Sequence, residues 1–231
     1  MAPVSSSAPR QVATLLDFDG VLVDSELVHL AAFNDILDKH GLSITEKDYL
    51  ERYLSLDDAG VFRAVLSRGG RTLREQEVRA AVAAKAPRFM ERFAETFRTF
   101  PGAPELIARR AARGPVGIVS GALEAEIEFA LQKMGARAQV AFIVSAERPI
   151  ASKPDPAPFL LGLDLLARGG HKGPVVAVED SIGGLTSAKR AGLRCVAVTH
   201  SHPREDLARS GADAVVDSLD ELTDGVLEEG L

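Results

Sequence analysis

Six short apolar runs divide the chain, and helix-like segments connect them. The runs are QVATLL, PVGIVS, QVAFIV, PVVAVE, RCVAVT and DAVV. Parallel strands are buried on both faces of their sheet, so they are continuously apolar and do not alternate with polar residues. Two of the connecting segments end at a glycine, Gly135 and Gly192, where a helix would stop. The pattern predicts an α/β protein with a parallel sheet and crossover helices.

The strand-like runs are missing between the first apolar run and the second. Over this stretch the apolar spacing is helical, and Pro87 is expected to break or kink one long helix. We therefore predict an α-helical cap domain that is inserted into a Rossmann-like core. The predicted parts are a flexible tail at 1–10, a core at 11–24 and 100–231, and the cap at 25–99.

Composition and charge narrow the range of partners. The 231 residues carry a formal net charge of −6 and no run of Lys or Arg, which argues against nucleic acid or an anionic membrane as a partner. No segment approaches the roughly 18 apolar residues of a membrane span, and the first ten residues lack the apolar stretch of a signal peptide. The single cysteine, Cys195, excludes an intramolecular disulfide. We expect a cytoplasmic protein that is a monomer or weak homodimer.

Polar side chains follow four of the predicted strands. They are Asp17 and Asp19 in DFDG, Ser120 in VSG, Lys153 in SKPDP, and Glu179 and Asp180 in VEDS. Open parallel sheets bind ligands outside the carboxyl ends of their strands, so we expect these groups to converge. Two adjacent acids at the end of an apolar strand repel each other unless a cation is present.

This set of groups suits phosphoryl transfer. A carboxylate can attack phosphorus and form an acyl phosphate, which divides one difficult displacement into two easier ones. A divalent cation screens the repulsion between the two anions, and Mg²⁺ prefers carboxylate oxygens. A lysine and a hydroxyl can hold the phosphoryl oxygens while charge redistributes.

The stretches DFDGVLVDSE, the Ser120 segment, SKPDP and VEDSIGG resemble the four motifs of the haloacid dehalogenase superfamily. The resemblance covers nearly the whole chain. The helical insert after the first motif resembles the cap of the phosphoglycolate phosphatase and β-phosphoglucomutase branch. This resemblance implies a Mg²⁺-dependent phosphoric monoester hydrolase that acts on a small phosphorylated metabolite through an aspartyl-phosphate intermediate.

The resemblance also implies a role for each motif residue. Asp17 would be the nucleophile, and Asp19 the general acid and base. For Asp19 to donate a proton, its site must raise its pKa above the ordinary value of about 3.9. Ser120, Gly121 and Lys153 would bind the phosphoryl group.

The predicted metal site uses residues of the first and last motifs. Asp17, Asp180 and Glu179 would hold Mg²⁺, together with the backbone carbonyl of Asp19. His29 is expected to face the cleft and bind substrate, since some sugar-phosphate relatives have a histidine there. A surface or core position for His29 is the alternative.

The residues also admit plainer roles. Aspartates at strand ends often form turns or cap helices. Ser120 could cap a helix that begins near Ala122, with or without a role in binding. Lys153 could be a solvated surface lysine.

Three alternative functions are open to a chain with these residues. Dehalogenases of the superfamily resemble this chain but lack the second aspartate and need no metal. In a β-phosphoglucomutase an arginine of the specificity loop grips a second phosphate, and Leu56 stands at that position in RYLSLDDAGVF. Arg52 or Arg63 could compensate for its loss. A non-catalytic binding or regulatory member would usually lose one of the acids or the lysine, and none is missing here.

Overall fold

A parallel sheet of six strands forms the centre of the molecule. The computed structural model describes residues 11–54, 56–68, 74–148 and 151–231, so the predicted tail at 1–10 lies outside the described residues. The strands are β1 (Ala13–Leu16), β2 (Val116–Val119), β3 (Phe142–Val144), β4 (Val175–Glu179), β5 (Arg194–Val198) and β6 (Ala214–Val216). All neighbouring pairs are parallel, in the order β3-β2-β1-β4-β5-β6. The predicted α/β class is confirmed, with a strand at each of the six apolar runs.

The order of the strands places the first motif centrally. In the register of the sheet, Leu16 of β1 lies opposite Ile118 of β2 on one side and Val178 of β4 on the other. The chain reverses its direction of travel across the sheet between β1 and β4, and the loops on either side of such a reversal leave a crevice at the carboxyl ends of the strands. The segments after β1, β2, β3 and β4 therefore surround one site.

Helices connect β1 to β2 and cover the sheet. Those between β1 and β2 are α1 (Glu26–Leu37), α2 (Glu46–Asp48), α3 (Asp58–Leu66) and α4 (Glu75–Thr96), and a π-helical turn, Tyr49–Tyr53, follows α2. The later helices are α5 (Ala103–Ala111), α6 (Glu124–Lys133), α7 (Ala157–Arg168), α8 (Ile182–Arg190), α9 (Arg204–Arg209) and α10 (Asp224–Glu228). None of the helices in the described parts of the chain is long and apolar enough to cross a membrane.

Glycine ends two of the crossover helices as the sequence predicts. Gly135 lies two residues after the end of α6 with φ of 68°, and Gly192 lies two residues after the end of α8 with φ of 81°. These left-handed conformations carry little steric cost only for glycine.

The apolar side chains form three clusters. Alternate residues of the strands point to opposite faces of the sheet, and each face has its own cluster, with Leu16 in one and Leu15 in the other. The third cluster lies within the helices between β1 and β2 and includes Phe33 and Phe62. Phe89 and Phe93 of α4 are fully buried in the Leu16 cluster, so these helices pack directly against the sheet unit.

Pro87 does not break its helix, as α4 runs without interruption from Glu75 to Thr96. A proline inside a helix removes one backbone hydrogen bond and costs about 3 kcal/mol. The burial of Phe89 and Phe93 just beyond it offsets that cost, because each fully buried phenylalanine contributes about 1.5–3 kcal/mol.

Candidate active site

Lys153 is the centre of the group of side chains at the strand ends. Its Nζ donates hydrogen bonds to Oδ1 of Asp17 at 2.6 Å, to Oε1 of Glu179 at 2.6 Å and to the carbonyl of Val119 at 2.8 Å. Burial lowers the pKa of Lys153, but the two carboxylates outweigh it and the net pKa is raised. The lysine is thus a fixed cation, because its charge is neutralised on two sides. It is not a solvated surface residue.

Three carboxylates meet beside this lysine. Asp17, Glu179 and Asp180 are all buried, and each offers an oxygen within 4.8 Å of those of the other two. Burial raises the pKa of Asp17 to about 8, against the opposing charge of Lys153 and with a further contribution from Glu179. Burial also raises the pKa of Asp180 well above its ordinary value, as do the charges of Asp17 and Glu179. Hard oxygen donors that repel one another in this way fit a divalent cation such as Mg²⁺.

Two glycines make room for these carboxylates. A Cβ atom on Gly20, which has φ of 76°, would lie 1.9 Å from Oδ2 of Asp180. A Cβ on Gly184 would lie 1.9–2.1 Å from the carboxyl atoms of Glu179. The glycines of DFDG and VEDSIGG are therefore required by the close approach of backbone and acid. The hydroxyl of Ser201, after β5, donates to Oδ2 of Asp180 and orients it.

Asp19 does not share the side-chain contacts of Asp17. Its Oδ1 accepts a hydrogen bond from Ser25 Oγ at 2.5 Å and lies 3.4 Å from Nε2 of His29. Burial raises the pKa of Asp19, but the hydrogen bonds of His29 and Ser25 and the charge of Lys85 together lower it below its ordinary value. The raised pKa that proton donation requires is not met in the ligand-free protein, because donors from the helical insert stabilise the carboxylate.

His29 lies on α1 and faces the cleft. It lines the same cavity as Asp17, and it is buried, stacked on Phe89 with ring centroids 4.1 Å apart. Lys85 Nζ donates to its Nδ1 at 2.8 Å, which leaves Nε2 to donate toward Asp19. Both ring nitrogens therefore have protein partners, and direct binding of substrate by His29 stays a prediction.

Ser120 and Gly121 line the cavity beside Asp17. Ser120 Oγ accepts a hydrogen bond from the Ala122 N–H at 3.0 Å, but α6 begins only at Glu124, so Ser120 is not its cap residue. Its hydroxyl proton stays available to donate to a phosphoryl oxygen. Ser181, by contrast, caps α8 by accepting from the Gly184 N–H at 3.0 Å.

The helical insert contributes part of the cavity lining. Leu56 lines it, and Asp57 Oδ2 accepts a hydrogen bond from Ser152 Oγ of the sheet unit at 2.7 Å. The two arginines weighed as substitutes for a phosphate-gripping residue lie elsewhere. Arg52 pairs with Asp48 and Arg63 with Glu75 in exposed ion pairs, and neither lines the cavity.

Sequence reasoning missed several residues near the site, among them Lys85 and Glu126 besides Ser25 and Ser201. Lys85 of α4 is 1% exposed and donates to Asp58 Oδ1 at 2.5 Å as well as to His29. The sequence did contain a signal that Lys85 is buried, because Lys85 has the helical spacing from Val78 and Phe89 that places all three on the buried face of α4. Glu126 of α6 is 2% exposed and lines the cavity, and no signal distinguished it from an ordinary acid in the first turn of a helix.

Comparisons with known proteins agree with this architecture. A family model described as haloacid dehalogenase-like hydrolase matches residues 14–198. N-acetylmuramic acid 6-phosphate phosphatase of Pseudomonas aeruginosa is 29% identical, over 96% of this chain and 97% of its own length. Hexitol phosphatase B of Escherichia coli is 32% identical, over 94% of this chain and 97% of its own.

A solved structure extends the likeness to three dimensions. The crystal structure of CbbY from Rhodobacter sphaeroides in complex with phosphate matches with a TM-score of 0.81 and 28% identity, and covers 94% of this chain and 98% of that one. The match of the family model over most of the chain confirms the resemblance that its four motifs carry. This chain belongs to the haloacid dehalogenase-like hydrolase family.

Proposed function

We propose that this protein is a Mg²⁺-dependent phosphatase that hydrolyses a small phosphorylated metabolite through an aspartyl-phosphate intermediate on Asp17. The observation that carries the proposal is the position of Lys153, which bridges Asp17 and Glu179 beside Asp180 at the floor of a cavity. The class of enzyme that the sequence predicts, a phosphoric monoester hydrolase, agrees with the names of the Pseudomonas aeruginosa and Escherichia coli relatives, which are both phosphatases.

In the first step, an Oδ atom of Asp17 attacks phosphorus and the ester P–O bond breaks. Lys153 and the Ser120 hydroxyl stabilise the phosphoryl oxygens, and the leaving oxygen takes a proton from Asp19. In the second step, Asp19 accepts a proton from water as the water oxygen attacks phosphorus. The bond between Asp17 and phosphorus then breaks and releases inorganic phosphate.

Mg²⁺ held by Asp17 and Asp180, with Glu179 beside them, would screen the repulsion between the nucleophile and the phosphate ester. The pKa of Asp19 is low in the ligand-free protein, so Asp19 needs an added negative charge before it can hold a proton. A bound phosphate ester supplies that charge, because a nearby anion raises the pKa of a carboxyl group.

The helical insert completes the site as a cap. We infer that the boundaries predicted from the sequence, with a cap at 25–99 and a core at 11–24 and 100–231, divide the chain into these two parts. In support, the helices from α1 to α4 contain their own apolar cluster, and they meet the core through Phe89 and Phe93 of α4 and the Ser152–Asp57 hydrogen bond. Closure of such a lid excludes water and positions the substrate.

The experiment measures phosphate release from a panel of phosphorylated metabolites, with p-nitrophenyl phosphate as a generic ester. Activity is expected with Mg²⁺ and is expected to disappear in excess chelator. Lys153→Met is expected to lower kcat/KM by at least about a thousandfold, because the variant lacks the ammonium group that holds Asp17 and would stabilise the phosphoryl oxygens. Full phosphatase activity in Lys153→Met, or release of phosphate that chelator does not reduce, would contradict the proposal.

A further inference from the structure

The cavity extends beyond the reacting groups along a wall formed by the core. Asp17 and Lys153 line it, and the core residues that line it outside the four motifs, here called the wall, include Glu126 of α6 and Ser145, the residue after β3. A phosphate ester whose phosphorus lies near Asp17 must direct its alcohol part along this wall. Residues of the wall are therefore available to contact the leaving alcohol.

Glu126 is an unusual wall residue because it is a buried acid. It is 2% exposed, and among the described residues its carboxyl group has one hydrogen bond, from the Leu123 N–H to Oε2 at 3.0 Å. That bond is the ordinary contact of a glutamate in the first turn of a helix. It accounts for one oxygen of Glu126, while the other oxygen, Oε1, is not engaged by it.

Ser145 gives a second, independent observation at the same wall. Its Oγ is buried and has no hydrogen-bond partner in the described parts of the chain. A buried hydroxyl without a partner costs free energy, so it indicates a group that a ligand satisfies. Burial also raises the pKa of Glu126 to about 7. Near neutral pH its carboxyl group can thus both accept hydrogen bonds from a hydroxyl and donate one to it.

The charges around the cavity disfavour a second anion. Three basic side chains, Lys153, Arg148 and His29, line it in the described residues, and each faces an acid; His29 Nε2 lies 3.4 Å from Asp19 Oδ1. Lys153 is held between two carboxylates, and Arg148 Nη2 lies 3.8 Å from Oε1 of Glu124. Acids outside the four motifs also line the cavity, among them Glu26, Asp57, Asp58 and Glu126. A carboxylate on the leaving alcohol would meet these like charges and lose its hydration there.

We propose that Glu126 and Ser145 form a subsite for hydroxyl groups of the leaving alcohol, so that the enzyme prefers phosphate monoesters of neutral polyols to those of hydroxy acids. This inference rests on the proposed phosphatase function. It names the class of alcohol that the site accepts, and assigns that choice to two core residues outside the four motifs.

Matched substrates test the preference in the unaltered enzyme. Glycerol 3-phosphate and 3-phosphoglycerate share a three-carbon skeleton, and glucitol 6-phosphate and 6-phosphogluconate share a six-carbon one. In each pair a terminal CH₂OH group is replaced by a carboxylate. We expect kcat/KM for the polyol ester to exceed that for the acid by at least about tenfold in at least one pair, the effect of one well-placed hydrogen bond.

Variants locate the preference. Glu126→Gln keeps an oxygen for the Leu123 N–H and removes the acid, and Ser145→Ala removes the hydroxyl. Each is expected to lower kcat/KM for the preferred polyol ester, relative to p-nitrophenyl phosphate, by about tenfold. Glu128→Gln is the matched control on the same helix. Glu128 pairs with Arg137 and does not line the cavity. In Glu128→Gln, kcat/KM for the polyol ester relative to p-nitrophenyl phosphate should therefore stay within about twofold of the unaltered enzyme.

The outcomes separate this inference from the proposed function. Hydrolysis of p-nitrophenyl phosphate with no preference in either pair, or with preference for the acids, would overturn the inference alone. Preference for the polyols that Glu126→Gln and Ser145→Ala both leave unchanged would also overturn it. The comparison of substrates uses the unaltered enzyme, so it tests the inference even if a variant fails to fold. If the enzyme hydrolyses none of the esters, including p-nitrophenyl phosphate, the proposed function is overturned and this inference with it.

Discussion

Asp17 combines burial with close positive charge, as a carboxylate that attacks an anion requires. Its Oδ1 lies 2.6 Å from the ammonium group of Lys153, and two further carboxylates lie within reach of a shared cation. Because this contact fixes the attacking oxygen in position, removing the oxygen should abolish the chemistry without changing the shape of the site.

The variant Asp17→Asn should therefore lose at least about a thousandfold in kcat, since an amide is a poor nucleophile. Its melting temperature should change by no more than a few degrees, because the side chain keeps its size. Asp164→Asn, which alters an exposed ion pair on α7, is the control and should keep its activity. A rate for Asp17→Asn above about a tenth of the unaltered rate would exclude Asp17 as the nucleophile.

At the same scale, the sequence predicted the motif residues but not their neighbours. Asp17, Lys153, Glu179 and Asp180 follow strands directly, so the geometry of a parallel sheet places them together. Glu126 stands in a first helical turn where acids are common for local reasons, and only the tertiary packing buries it beside the cavity.

At the scale of elements, the turn from β4 into α8 depends on the absence of a side chain at Gly184. Gly184→Ala would place a Cβ within 2.1 Å of the Glu179 carboxyl group. We expect a loss of about 1–3 kcal/mol in the free energy of unfolding, measured by denaturant unfolding. Gly121→Ala is the control for stability, because no heavy atom lies within 4 Å of the added Cβ. Equal stability of the two variants would show that Gly184 is not required by this contact.

The cap elements bear on the choice between phosphatase and mutase. Leu56 lines the cavity where a mutase would need a cation, and Arg52 and Arg63 are held in exposed ion pairs away from it. We expect no efficient conversion of β-glucose 1-phosphate to glucose 6-phosphate when a catalytic amount of the bisphosphate is supplied. Glucose 6-phosphate and free phosphate are followed together. Rapid isomerisation with little free phosphate would favour the mutase.

Most elements could be predicted from the sequence because each carries a local signal. The six apolar runs gave six strands, and Gly135 and Gly192 stand where α6 and α8 end. A break at Pro87 did not occur because its local cost is outweighed by the burial of Phe89 and Phe93, a tertiary effect that local propensity does not contain, and a kink there stays a prediction.

At the scale of the whole molecule, the metal should couple activity to stability. Asp17, Glu179 and Asp180 belong to segments far apart in the chain, so they form a site only when the protein is folded. We expect Mg²⁺ to raise the melting temperature by mass action, and Asp180→Asn to reduce that rise. Activity should disappear with chelator, return with Mg²⁺ and be poorly supported by Ca²⁺, which prefers more ligands at longer distances. A melting temperature that does not respond to Mg²⁺ would contradict this metal site.

The central claim is that the phosphoryl group passes through Asp17. Borohydride reduces an acyl phosphate of aspartate to homoserine, so adding it during turnover with Mg²⁺ and a hydrolysed ester should mark the nucleophile. Peptide mass spectrometry is expected to find homoserine at position 17 and unmodified aspartate at positions 19 and 180. Homoserine at another position would contradict the account, as would its absence at position 17 while phosphate is released.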